Sequence, residues 1–270
     1  MTQPTGEATA QDPTEAPAEA GGAGDVRLHT YFQPFYNLQT NQLQGLEALA
    51  RVSDGDGRPG LPGEFFSALE RSGSSREVDL TMLDEALGHL AVWQQDPQRH
   101  DLMVSVNISA DVLGTEDGPL DVLAALDRHA VPGDRLLLDI TTDIFRRLSW
   151  SDEAFMARVA TLQESGVSFC LDGFTADDLD LLPEAAKVPV DIIKLHPGQL
   201  GTKDPEGTGG LAAVADALGE AGLPMVAAGI ETREQLEHAR ELGVEWAQGF
   251  LLAEPMPADE ARVVSLTLDV

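Results

Sequence analysis

Short runs of apolar and β-branched residues alternate with longer stretches of helical periodicity from about residue 28 onward. A short run of such residues between turn residues predicts a strand, whereas apolar residues three and four apart predict a helix. The predicted strands are residues 30–36, 43–51, 102–108, 135–140, 167–171, 192–195, 225–227 and 246–250. The predicted helices are residues 63–72, 78–95, 120–129, 153–164, 210–221 and 233–242. Strands that alternate with helices in this way predict an α/β fold, a TIM-type (β/α)8 barrel.

The first two predicted strands are joined by residues 37–42 alone, a linker of hairpin length. A parallel pair needs a crossover of a dozen or more residues, so the first strand is predicted to run antiparallel to the second. The barrel is therefore a modified one. An open doubly wound sheet is the competing architecture, but the sequence contains no Gly-x-Gly-x-x-Gly turn to support it.

The first 25 residues consist mainly of Ala, Gly, Pro, Thr, Glu and Asp. They carry too little apolar surface to offset the entropy of ordering, so residues 1–25 are predicted to be a disordered acidic tail. Residues 26–270 are then one barrel domain, a length that suits a single barrel. A glycine-rich stretch, residues 201–210, is predicted to be a long loop.

The net charge and the single cysteine limit which partners and which cellular location are expected for this chain. The formal net charge of −29 argues against a nucleic-acid duplex or an anionic membrane surface as partner, because both would be repelled. Cys170 is the only cysteine, which excludes an internal disulfide and favours a reducing, cytoplasmic location. No stretch is apolar enough over the length that a membrane span needs.

Polar residues stand at or just beyond the carboxyl ends of the predicted strands, where the chemistry of a barrel collects. Carboxylate and amide oxygens that converge there favour a hard divalent ion such as Mg²⁺ or Mn²⁺. These residues are Glu47, Asn107, Asp139, Asp172, Lys194, Glu231 and Gln248.

Eight segments in order resemble the blocks of the EAL family, the phosphodiesterases that hydrolyse the bacterial messenger cyclic dimeric GMP. The best-marked segment is Gly45–Arg51, which contains Glu47-Ala48-Leu49. The others are Gln33-Pro34 and residues 104–110, 137–143, 167–174, 190–196, 226–232 and 248–257. The resemblance covers nearly all of the predicted barrel, and it implies metal-dependent cleavage of a phosphodiester.

The resemblance also implies a role for individual residues. It assigns Glu47, Asn107, Asp139 and Asp172 to metal binding. It assigns Gln33, Arg51, Lys194 and Gln248 to the nucleotide, with Arg51 facing a phosphate. Lys194 and Glu231 match catalytic positions of the family.

Four positions depart from the family pattern. Gly173 and Ala228 stand where the family has acids, Thr142 stands where it has a glutamate, and Asp139 is one methylene shorter than the usual glutamate. Two-metal hydrolysis requires both ions, so the departures predict one Mg²⁺ or Mn²⁺ site at most, or a metal-free site. Asp177 or Asp178 in the following loop is an alternative source of the missing ligand.

Three hypotheses follow. The first is a degenerate EAL domain that binds cyclic dimeric GMP with little or no hydrolysis and signals through a protein partner. The second is a protein-interaction module that no longer binds the nucleotide. The third is an active metal-dependent phosphodiesterase with unusual ligands. The resemblance further suggests a homodimer.

Overall fold

The computed structural model describes residues 27–53, 59–60, 75–148, 150–185, 190–201 and 210–269. Within these ranges, eight strands form a closed ring with helices around it, which confirms the predicted α/β barrel. All eight strands that the sequence pattern predicts are present in the ring. The strands are β1 (Arg27–Asn37), β2 (Leu43–Ser53), β3 (Pro59–Gly60), β4 (Met103–Asn107), β5 (Leu136–Thr141), β6 (Ser168–Phe174), β7 (Ile192–Leu195), β8 (Met225–Ala227), β9 (Trp246–Ala247) and β10 (Met256–Pro257).

The first strand runs antiparallel to its neighbours, as the short linker predicts. β1 pairs with β2 over its whole length and with β9 on its other side, while β2 and β4 through β9 are parallel in sequence order. β3 and β10 lie outside the ring. The register of the hairpin places Gln33 directly opposite Glu47, so the antiparallel strand still delivers a polar side chain to the same end of the barrel.

The helices cover the outside of the ring, and local capping explains where several of them begin. Asp152 accepts hydrogen bonds from the backbone of Ala154 and Phe155, and Thr232 forms a capping box with Gln235. The helices are α1 (Ser75–Trp93), α2 (Ala110–Leu113), α3 (Gly118–His129), α4 (Thr142–Arg147), α5 (Glu153–Glu164), α6 (Leu182–Ala185), α7 (Gly210–Ala221), α8 (Arg233–Glu241) and α9 (Ala258–Ala261), with 3-10 turns at Gly133–Arg135, Ala176–Leu181 and Pro197–Gly201.

Five predicted helices are confirmed to within a few residues, and the short helices α2, α4, α6 and α9 were not predicted. Helices of four to six residues carry too few apolar positions for a periodic pattern. The predicted helix at residues 63–72 and the predicted tail at residues 1–25 lie outside the described residues. So does most of the predicted loop at residues 201–210.

The inner face of the barrel has an apolar layer beneath a polar one. Leu137, Cys170, Ile192 and Val226 form a small buried cluster inside the ring. Because side chains alternate along a strand, the residue two positions later points to the same face. Three of the four strands carry an ionisable residue there, namely Asp139, Asp172 and Lys194, and the fourth carries Ala228. The packing of the barrel interior therefore fixes which side chains reach its mouth.

No helix among the described residues has the length and apolarity that crossing a membrane requires.

Candidate functional site

Lys194 lies at the centre of three carboxylates at the mouth of the barrel. Its Nζ is 2.6 Å from Asp139 Oδ2, 3.0 Å from Glu47 Oε1 and 3.5 Å from Asp172 Oδ2. Lys194, Glu47 and Asp139 are each at least 95% buried. Four sequence-predicted residues from four separate strands thus meet at one place.

Two amides complete the surroundings of Glu47. Gln248 donates a hydrogen bond of 2.5 Å from Nε2 to Glu47 Oε2, and Asn107 donates one of 3.3 Å from Nδ2 to Glu47 Oε1. Asn107 directs its amide nitrogen, rather than its oxygen, toward the carboxylate. Both oxygens of Glu47 are therefore engaged by protein donors.

The pKa values of the three carboxyls diverge because their neighbours differ. Burial alone would raise the pKa of Glu47, but the Lys194 charge and the bonds from Gln248, Lys194 and Asn107 lower it below its ordinary value. Burial raises the pKa of Asp139 to about 6, against the opposing effect of Lys194. Burial likewise raises the pKa of Asp172. Glu47 is the carboxylate whose charge the fold supports best.

The pKa of Lys194 is raised above its ordinary value. Burial lowers it, but the charges of Asp139, Asp172 and Glu47 outweigh that effect. Lys194 is therefore a cation at neutral pH. Three carboxylates against one ammonium leave the cluster with up to two negative charges.

Of the four positions that depart from the family pattern, only Asp139 supplies a side-chain oxygen to this cluster. Gly173 follows Asp172 at a β-bulge, has φ of +76°, and has no atom within 4 Å of where a Cβ would lie. Ala228 is buried at the end of β8. Thr142 is not part of a strand but the first residue of α4, capped by the Thr141 hydroxyl.

Asp178, one of the two alternative ligands, is engaged elsewhere. Its Oδ2 accepts hydrogen bonds from the backbone N and the hydroxyl of Thr175, at 3.0 and 2.9 Å, and its Oδ1 pairs with Arg146 at 3.1 Å. Arg146 also holds Asp180. These contacts make Asp178 a cap of the 3-10 turn that follows β6.

The remaining predicted residues make their contacts outside the cluster. Gln33 is buried and donates to the Ala253 carbonyl at 3.0 Å. Arg51 is half-buried, lies over the Tyr31 ring at 5.8 Å, and donates to the Ala50 carbonyl at 2.8 Å. Glu231 is exposed two residues before α8, and its backbone N donates to Gln235 Oε1. The structure thus does not bring the Glu231 side chain into the buried cluster.

A cavity of about 310 Å³ opens beside the cluster, between β2, β4, β5 and the start of α1. Arg51, Asn107 and Asp139 line it together with apolar side chains from these elements. Three of its lining residues, Ser75, Ser109 and Asp139, have a buried side-chain oxygen with no hydrogen-bond partner in the described part of the chain. Buried polar atoms rarely lack partners in proteins, so these oxygens are available to partners other than the described residues.

The sequence pattern did not single out Ser75 and Ser109. Ser109 lies within the segment 104–110 that carries the resemblance, which was the available signal. Ser75 has no such signal, because only the packing of α1 against the barrel brings it to the cavity.

The donor set fits one divalent cation. Glu47, Asp139 and Asp172 each offer a carboxylate oxygen within 4.8 Å of the others, and Asp139 Oδ1 has no hydrogen-bond partner. Oxygen donors of this kind suit Mg²⁺ or Mn²⁺. Gly173 and Ala228 add nothing for a second ion.

Comparison with known proteins places these observations in a family. The EAL domain model matches residues 22–255. Signaling protein YkoW of Bacillus subtilis is 26% identical over 244 residues, which cover 87% of this chain but only 29% of YkoW. The uncharacterized protein Rv1357c of Mycobacterium tuberculosis is 29% identical over 239 residues, covering 86% of this chain and 76% of that protein.

A solved structure of the PaMucR phosphodiesterase in complex with c-di-GMP has the same fold. It superimposes with a TM-score of 0.75 at 26% identity, and the match covers 87% of this chain and 94% of that one. The MucR protein of Pseudomonas aeruginosa carries the name of a bifunctional diguanylate cyclase and cyclic di-GMP phosphodiesterase. Because the family model spans most of the sequence and the fold agrees, this chain belongs to the EAL-domain family.

Proposed function

We propose that this chain is a receptor that binds cyclic dimeric GMP with little or no hydrolysis. The observation that carries the proposed binding is the cavity beside Arg51, whose lining residues include three with a buried side-chain oxygen that has no partner among the described residues. Its volume of about 310 Å³ is within the range of small-molecule pockets, and its lining combines apolar walls with a few polar groups. The c-di-GMP complex of a 26% identical structure supports the choice of ligand.

In the proposed complex, this chain's residues bind and orient the nucleotide. The Arg51 guanidinium binds a phosphate oxygen, because it is a permanent cation with a planar fork of donors. Gln33 and Gln248 lie at the same mouth and offer amides for polar contacts. Asn107 and Gln248 keep Glu47 in place.

Hydrolysis is not expected because the site holds the ligands of one cation. A pair of divalent ions would activate the attacking water and stabilise the charge on the phosphate. Around Lys194 the described residues gather three carboxylates, and Gly173 and Ala228 have no side-chain oxygen to offer. The Glu231 side chain lies on the surface, so it does not replace them.

The proposal is tested by calorimetric titration with cyclic dimeric GMP, with and without Mg²⁺ or Mn²⁺, combined with chromatography of the nucleotide after long incubation. We expect saturable binding and no linear dinucleotide. Absence of binding in every condition would contradict the receptor and favour the interaction module. Linear dinucleotide that disappears in Glu47→Ala would instead establish a phosphodiesterase.

Arg51→Met is expected to weaken the binding of cyclic dimeric GMP about 10- to 100-fold, the usual loss for a charge-assisted phosphate contact. The substitution keeps the aliphatic stem, so the melting temperature should change little. Arg135→Met is the matched control, since Arg135 pairs with Asp101 before β5 begins, away from the mouth. Equal weakening in both variants would show that overall charge, rather than a direct contact, governs affinity.

A receptor that catalyses no reaction must pass its signal to another molecule. We propose a protein partner and a homodimer as the routes for that signal. Size-exclusion chromatography with light scattering, in the presence and absence of the nucleotide, tests the dimer.

A further inference from the structure

We propose that the Lys194 ammonium is a built-in counter-cation, which competes with a divalent metal ion for the cluster of Glu47, Asp139 and Asp172. The proposal deepens the proposed function by naming what controls cation uptake at the same site. It concerns the chain without nucleotide, so it can be tested whether or not cyclic dimeric GMP binds.

The competition follows from the positions of the atoms. The three carboxylates that could hold a cation are the same three that lie within 3.5 Å of Lys194 Nζ. A Mg²⁺ ion would need oxygen ligands at roughly 2.1 Å, from these same groups. Such an ion would lie against the ammonium, and the two positive charges would repel each other in a poorly solvated site.

Lys194 is held firmly in this position. It projects from the middle of β7, is 4% exposed, and lies with Cys170 and Gln248 in the lining of a small space inside the ring. Withdrawing the ammonium would leave it buried without its partners. A cation must therefore compete with the buried ammonium for the same carboxylate oxygens, and this competition lowers the affinity for the cation.

The cluster nevertheless keeps some attraction for a cation. One ammonium does not balance three carboxylates, and Asp139 Oδ1 has no hydrogen-bond partner among the described residues. The expected behaviour is weak uptake of a single ion rather than exclusion. A receptor built in this way would depend little on the divalent ion, because its own lysine supplies positive charge.

The test is titration of the nucleotide-free chain with Mn²⁺ alone, followed by the electron paramagnetic resonance signal of free Mn²⁺. Lys194→Met removes the charge and retains most of the stem, and we expect it to bind one Mn²⁺ at least 10-fold more tightly than the original chain. Arg135→Met removes one positive charge from the surface and should bind Mn²⁺ as the original chain does. Tighter binding in Lys194→Met alone supports the proposal.

Lys194→Gln is the second variant, because its amide still donates a hydrogen bond to the carboxylates and preserves the fold better. Unchanged or weaker Mn²⁺ binding in both lysine variants would overturn the proposal. Recovery of a cooperative melt on addition of Mn²⁺ to an otherwise unstable variant would support it, since the ion then takes the place of the ammonium. Failure of both variants to fold even with millimolar Mn²⁺ would count against it. None of these results depends on the nucleotide, whose binding is tested separately.

Discussion

Gly249→Ala is expected to destabilise the protein by about 4 kcal/mol or more, a loss found when a substitution forces backbone atoms apart. A Cβ on residue 249 would lie 2.1 Å from Ile230 N and 2.2 Å from Ile230 O. Neither atom can move freely, because Ile230 N donates to the Gln248 carbonyl and Ile230 O accepts from Leu251 N. The added methyl group must therefore separate two segments that hydrogen bonds hold together.

The same substitution is expected to disturb the site. Gln248 is adjacent to Gly249 and donates to Glu47, so displacement of the loop would pull this donor away. Chemical unfolding in urea gives the stability, and calorimetry gives the nucleotide affinity. Both should fall.

Gly219→Ala is the control for the loss of a glycine. Gly219 lies in α7, and an added Cβ has no atom within 4 Å. Alanine is a better helix former than glycine, so the free energy of unfolding of this variant should increase by about 0.5–1 kcal/mol. Similar effects in the two variants would rule out the steric explanation for residue 249.

Glu47→Gln and Asp139→Asn are expected to change stability in opposite directions at pH 7 in the metal-free chain. The fold lowers the pKa of Glu47, so its ionised form stabilises the folded state, and we expect Glu47→Gln to cost about 2 kcal/mol. The fold raises the pKa of Asp139 to about 6, so its ionised form opposes folding. Asp139→Asn should therefore stabilise the protein by about 1–2 kcal/mol.

The pH dependence separates the two effects. The folded state binds more protons at Asp139 than the unfolded state between about pH 4 and pH 6, so the contribution of this residue to stability falls as pH rises through that window. The advantage of Asp139→Asn should vanish near pH 4 and be complete at pH 7. The contribution of Glu47 is present above its ordinary pKa and is lost as pH falls through its lowered value.

Urea unfolding of the three proteins in EDTA, at pH 4, 5.5 and 7, measures both effects. Each variant serves as the control of the other, since both neutralise one buried carboxylate of the same cluster. Destabilisation of equal size by both substitutions would mean that Lys194 is paired equally with the two groups, and it would contradict the order of their pKa values.

Much of the fold could be predicted from the sequence because strands and long helices leave periodic patterns. The hairpin length of residues 37–42 was enough to predict the antiparallel first strand, which the pairing of β1 with β2 confirms. The short helices could not be predicted, because α4, for example, depends on one capping hydroxyl at Thr141.

The site could be predicted only as a list of residues. Glu47, Asp139, Asp172 and Lys194 stand at or near strand ends in the sequence, and alternation along each strand directs them inward. Which of them touch depends on pairs far apart in the chain, since Lys194 and Asp139 are separated by 55 residues and Gln248 and Glu47 by 201. The same holds for Asp178, whose carboxylate caps the turn after β6.

By itself the sequence determined the family, the strand order and the positions where acids are replaced, because these depend on local pattern and residue identity. Only the tertiary structure decided that one lysine lies among three carboxylates, that Glu231 lies on the surface, and that Ser75 and Ser109 line one cavity. These relations arise from closing the barrel, which brings strand ends together whatever their separation along the chain.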